Sequence, residues 1–229
     1  MRSSIILILG ALAAARPHAA VAADRPVVVE LFTSQGCSSC PPANAYLNEL
    51  SKQRPDILAL AFHVTYWDYL GWKDPFSLQI ATERQARYGQ RFGDGSYTPE
   101  IVVDGGTGLV GSDREAVEKV IAKARARNAT AADVRVAAKD GKVSIDIGPG
   151  RGSAKIYLIG YDREHITAVG RGENRGRTMP ESNIVRSFRS VGDWLGGAVH
   201  FDQPHPDSEE VAVILESQDG RIVGAASSR

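Results

Sequence analysis

The sequence predicts an α/β domain, a central mixed sheet flanked by helices, followed by an all-β, sandwich-like extension. Three observations predict it. A strand–helix–strand block spans residues 27–64, a Cys-x-x-Cys sits at its first junction, and the apolar period changes to two after Asn128.

The amino terminus comes first. Arg2 is followed by an apolar run from Ile5 to Ala15, then by small residues at Ala20–Ala23. That is a cleavable signal-peptide pattern over residues 1–23, and the run is too short to span a bilayer. The expected location is therefore the periplasm or the secreted fraction, with no stable membrane insertion after cleavage. The remainder divides into an α/β domain over 24–130 and an all-β domain over 131–229.

Val27 to Phe32 reads as a buried strand interrupted by Glu30. Pro41-Pro42 fits the first turn of a helix running to about Gln53, with Tyr46, Leu47 and Leu50 as its apolar stripe. Ile57 to Val64 is a second buried strand, and Tyr66 to Trp72 an aromatic loop. A helix follows Ser77, read as its N-cap. Thr98-Pro99 leads into a third strand, Glu100–Asp104, and Gly105-Gly106 turns into Thr107–Val110. Ser112 and Glu115 stand at capping-box spacing before a last helix, read as scaffold. Short strands then succeed one another from Val134 to Ala225, separated by Gly, Asp, Asn and Pro.

Lys plus Arg equals Asp plus Glu, at 27 each, which leaves no electrostatic case for a nucleic-acid partner. The chain has two cysteines, Cys37 and Cys40. A disulfide closing so short a loop removes little unfolded-state entropy, so the pair suits redox exchange better than stapling. A thiolate at a helix N-terminus is stabilised by the helix dipole. Cys37, read as exposed at the turn, is the attacking sulfur, and Cys40, one turn on, resolves the mixed disulfide.

With Cys37-Ser38-Ser39-Cys40-Pro41 after a buried strand and Thr98-Pro99 before a later one, the sequence resembles the thioredoxin-like superfamily over roughly residues 26–127. Glu30 to Ala43, His63 to Asp68, Tyr97 to Ile101 and Gly172 to Gly176 look closer still to a family of secreted bacterial thioredoxin-like proteins of unknown function. The resemblance implies a cis proline at Pro99 opposite the dithiol, with Thr98 offering backbone groups to a bound partner. It supplies no substrate. Superfamily members carry a buried acid six residues before the first cysteine, where this chain has Leu31. Glu30 is the candidate to take the proton of Cys40, and the alternative is that it pairs with a basic group at the sheet edge.

The expected activity is thiol–disulfide exchange on exported protein thiols or disulfides, or on small thiols. It needs an upstream redox partner and no organic cofactor or metal. Two alternatives stand beside it: a non-catalytic exported binding protein with an inert local disulfide, and a copper or zinc chaperone using Cys37, Cys40 and His63. Two thiols fall short of a four-ligand structural zinc site, and His63 reads first as a hydrogen-bonded loop histidine. Tyr66, Trp67, Tyr69 and Trp72 form either a docking platform or a satellite core. Asp68 and Asp74 read as turn caps. Arg171 to Arg177 reads as a solvated arginine loop or an anion site, with Arg186 and Arg189 near Trp194 on the same surface. Ser34 and His63 lack the Gly-x-Ser-x-Gly elbow of a hydrolase.

Overall fold

The computed structural model describes residues 25–127 and 132–229. The signal-peptide segment at 1–23 lies outside them, as does most of the junction expected near Asn128–Asp133. The elements are β1 (Val27–Thr33), α1 (Pro41–Gln53), β2 (Ile57–His63), α2 (Gln79–Phe92), β3 (Glu100–Val103), β4 (Thr107–Val110) and α3 (Arg114–Ala126). Then follow β5 (Val134–Lys139), β6 (Lys142–Ile147), β7 (Ala154–Ala168), β8 (Thr178–Trp194), β9 (Val199–Pro204), β10 (Glu210–Ser217) and β11 (Ile222–Ser227). Among the described residues no helix is long and apolar enough to cross a membrane.

The architecture corrects the expected fold class. The described residues are 43% strand and 21% helix, with three α-helices, and they do not form an α/β domain joined to a separate sandwich. One eight-stranded mixed sheet, ordered β11-β10-β7-β8-β2-β1-β3-β4, runs through both parts of the chain. The strands after α3 carry alternating apolar residues, and that pattern cannot say which neighbour a strand joins. β8 adds to the free edge of β2 instead of closing a sheet of its own. The join is narrow, with one parallel pair, Ala61 with Ile184, reinforced by Asn183 Nδ2 donating to the Ala59 carbonyl at 2.8 Å. Asn183 takes a left-handed φ of 51° there, a conformation that asparagine tolerates. The two strands expected at 155–161 and 166–169 form one long β7, hairpinned with β8. The three-stranded sheet β5-β6-β9 covers an apolar face built from Ile156, Leu158, Val211, Val213 and Leu215.

Side-chain alternation along β1 sorts the core. Val27, Val29 and Leu31 pack with Leu47 of α1 and Ile121 of α3. Val28 and Phe32 pack on the opposite face with Ala81 and Tyr88 of α2. Two expected caps move by a residue. α3 is capped by Asp113, whose side chain accepts from the Ala116 N–H, and Leu78 takes the N-cap place of α2 without a side-chain cap. Ser77 instead donates its hydroxyl to Asp68.

Candidate functional site

Cys37 and Cys40 form a disulfide at the mouth of α1, with Cys40 as the N-cap residue and a Cα–Cα distance of 5.4 Å. Pro41 and Pro42 occupy the first two helical positions and have no N–H to offer. The positive end of the helix therefore acts on the sulfurs through its dipole more than through donors. The Cys37 N–H donates to the Ser34 carbonyl at 3.1 Å, which folds the turn. Ser39 Oγ lies 3.3 Å from Cys37 Sγ and donates at 3.4 Å to the carbonyl oxygen of Thr98. The Thr98–Pro99 bond is cis. The structure thus brings Cys37, Cys40, Thr98 and Pro99 together, and the backbone acceptor expected to meet a partner is already engaged by Ser39.

Glu30 does not join them. It projects onto the α2 face of β1, away from α1, where Arg84 Nε at 2.5 Å, Arg84 Nη2 at 3.1 Å and Tyr88 Oη at 2.6 Å surround its carboxylate. Arg84 is itself fully buried, 4.6 Å from the ring centroid of Phe188 and paired at 2.7 Å with Glu216. The proton-accepting role assigned to Glu30 is corrected by this strand parity. An even position on β1 cannot face the helix that Leu31 and Thr33 face.

The expected exposure of Cys37 is also corrected. Both cysteines are 0% exposed, while Ser38 and Ser39 between them face solvent. The cover is the loop between β7 and β8. Buried Asn174 donates its Nδ2 to the carbonyls of Gln35 at 2.9 Å and Cys37 at 2.8 Å, and Glu173 accepts from the Ser38 N–H at 3.1 Å. The arginine-rich segment 171–177 is therefore seated over the disulfide.

Beneath the turn lies a buried polar network that the sequence reading missed. His63 Nδ1 is 2.7 Å from Asp74, and Nε2 faces Glu181 of β8 at 3.7 Å with no hydrogen-bond partner. Gln35 ties these groups to the disulfide turn. Its N–H donates to Asp74 at 2.8 Å and its Nε2 to Glu181 at 2.6 Å. Asn44, one turn after Cys40, donates to Glu181 at 3.3 Å and accepts from Thr33 at 2.8 Å. Burial alone opposes charge on His63, but the two carboxylates outweigh it and hold its pKa up at about 9. Burial likewise raises Glu181, with His63 and Gln35 working against the rise. Burial opposes ionisation of Asp74 as well, yet His63 and two backbone N–H donors bring it below the usual carboxylate range. A lone Glu181 in a β-rich segment carried no sequence signal, because its partners lie more than a hundred residues earlier. Asp74, expected as a turn cap, does accept the Phe76 N–H at 2.9 Å, and is also the principal partner of His63.

The aromatic loop splits in two. Trp67 Nε1 donates to Thr98 Oγ1 at 2.8 Å and Trp72 Nε1 to Gln35 Oε1 at 3.0 Å, so both indoles brace the site, while Tyr69 is 79% exposed. Arg186 pairs with Asp162 and lies 5.2 Å from the ring centroid of Phe76, which packs on His63, while Arg189 donates to Gln203. The chaperone alternative loses its ligand set. His63 faces Asp74 and Glu181, and among the described residues no group of three or more His, Cys, Asp or Glu could hold a metal ion.

A family model described as a protein of unknown function, DUF1223, matches residues 28–216. A protein of Agrobacterium tumefaciens solved by X-ray crystallography is 33% identical, with a TM-score of 0.77 over 88% of this chain and 92% of that one. HBP35 of Porphyromonas gingivalis shares the fold alone, at 14% identity and a TM-score of 0.62 over 89% of this chain and 74% of that one. No curated protein matches the sequence. With the family model spanning most of its length, the chain belongs to the DUF1223 family of proteins of unknown function.

Proposed function

We propose that the protein exchanges its Cys37–Cys40 disulfide with thiols of exported proteins or small molecules, acting outside the cytoplasm after loss of residues 1–23. The observation that carries this reading is the placement of the formed disulfide at the N-terminal end of α1, beside the Ser38-Ser39 turn that faces solvent. In the step proposed, a substrate thiolate attacks Cys37 Sγ and the S–S bond breaks. Cys40 leaves as a thiolate, stabilised by the helix dipole, and takes up a proton. A second substrate thiolate then attacks the substrate sulfur of the mixed disulfide and releases Cys37. The substrate dithiol loses two electrons and the protein disulfide gains them. A disulfide-bearing redox partner restores the starting state.

A second reading, an inert disulfide in an exported binding protein, is favoured by one observation: both sulfurs are covered by the Asn174 loop. The Cys40→Ser variant separates the two. Exchange predicts that Cys37 of this variant traps a disulfide substrate as a stable mixed disulfide, and that the wild type is reduced by dithiothreitol while folded. Resistance to reduction until the protein unfolds, with no trapped species, would overturn the exchange reading in favour of the inert one.

A further inference from the structure

Arg171, Arg175 and Arg177 are exposed and lie within seven residues of one another, in the loop whose Asn174 touches the Cys37 carbonyl. None of the three forms an ion pair or side-chain hydrogen bond among the described residues, a condition they share with Arg87 and Arg151, but they alone are clustered beside the disulfide turn. The nearby acids are engaged elsewhere. Glu173 accepts from the Ser38 N–H, Asp68 from Ser77, and Asp74 lies against His63. The segment 171–177 therefore carries three arginines against one carboxylate, Glu173, a surplus of positive charge beside the disulfide turn in a chain whose overall charge balances.

The loop is held in shape. The Val169 N–H donates to the Arg177 carbonyl at 2.9 Å, that of Gly176 to Val169 at 2.8 Å, and that of Arg177 to Asn174 at 3.0 Å. Gly172 and Gly176 take left-handed φ values of 74° and 81°, and a Cβ on Gly172 would stand 3.1 Å from Cβ of Trp72. Arginines on a backbone fixed in this way meet an anion at a lower entropic cost than arginines on a mobile tail. Arg177 also lines a cleft of about 440 Å³ with Pro41, Asn44, Asn48 and Met179, directly beside the first turn of the disulfide helix.

We propose that the polypeptide that exchanges with Cys37–Cys40 carries acidic side chains next to its reacting cysteine, bound by Arg171, Arg175 and Arg177. This rests on the exchange reading. The carboxylates meet the guanidinium groups as the thiolate reaches Cys37, so the arginines raise local substrate concentration and set specificity, and take no part in the sulfur chemistry.

The test follows reduction of the oxidised wild-type protein by synthetic dithiol peptides whose cysteines are flanked by Asp/Glu, by Gly/Ser or by Lys. Each rate is divided by that of the same peptide on a small aromatic disulfide, which removes differences in intrinsic thiol reactivity. The acidic peptide is expected to react about tenfold faster than the neutral one at low salt, with the advantage lost near 0.5 M salt, as electrostatic steering and screening require. The triple variant Arg171→Gln, Arg175→Gln, Arg177→Gln should erase the difference between acidic and neutral peptides, with its circular dichroism spectrum confirming the fold. Equal normalised rates for all three peptides overturn the specificity while leaving exchange intact. Failure of every peptide and of dithiothreitol overturns exchange itself. A preference for a carboxylate-bearing small dithiol over the acidic peptide assigns the arginines to a small-molecule substrate and overturns the polypeptide.

Discussion

The side-chain amide of Asn174 donates to the carbonyl oxygen of Cys37 at 2.8 Å across 137 residues of chain, and the same Nδ2 reaches Gln35 at 2.9 Å. This contact closes the β7–β8 loop over the disulfide. Asn174→Ala removes both bonds. Each is worth roughly 1 kcal/mol net, so reduction of the folded protein by dithiothreitol should accelerate by about tenfold or more. Quenching the reaction with a maleimide at timed intervals measures the rate. An unchanged rate would show that the loop is not what limits access.

Glu30 and Arg84 form a buried pair on the far face of β1. Breaking such a pair costs about 3–5 kcal/mol. Glu30→Gln should therefore lower the melting temperature substantially, while the exchange rate per folded molecule stays at the wild-type value. The opposite outcome, intact stability with slowed exchange, would restore Glu30 as the proton acceptor of Cys40.

Glu100 follows the cis proline, is 0% exposed, and its Oε1 has no partner. Burial raises its pKa to about 7, the Gln85 hydrogen bond opposing and the Asp94 and Glu30 charges adding to the rise. A folded-state pKa above the ordinary carboxyl value means that the neutral form is the favoured one. Its stabilising effect is complete below the ordinary value and is lost as pH rises through about 7, a change of roughly 3 kcal/mol. Glu100→Gln should flatten the fall in melting temperature between pH 5 and pH 8 and leave the variant the more stable protein at pH 8.

His63 titrates in the same sense and at higher pH. Its folded pKa of about 9 lies above the ordinary value of 6.5, so its contribution is complete below pH 6.5 and disappears as pH rises through 9. Asp74→Asn removes the nearest carboxylate. Melting temperatures measured from pH 6 to pH 10 should show the wild type losing stability over that window. The variant should start lower and change little. A variant with the wild-type slope would place the titration on another group.

The local elements were legible because their signals are local. The prolines after Cys40 fix the start of α1, the Cys-x-x-Cys spacing makes the disulfide, and the apolar runs at 27–32 and 57–64 make parallel neighbours. Glu30 was misplaced because a shift of one residue along a strand reverses its face. The position of β8 was not legible, since Ala61 and Ile184 share no sequence pattern that would pair them. The cover over Cys37 was missed for the same reason. Gly172 to Gly176 reads as a solvated turn until the hairpin that carries it is known to fold beside α1.

The narrow β2–β8 join determines how the molecule can be dissected. A fragment ending near Arg127 would retain both cysteines, the proline-led strand and all three helices, and would look complete by motif. It would lack Asn174, Glu173 and Glu181, leaving the sulfurs bare, His63 short of one counter-charge, and the edge of β2 open along its length. Sulfur reactivity measured on such a piece would describe a stripped, stickier object with a different electrochemistry. Only the intact polypeptide can report what this disulfide does.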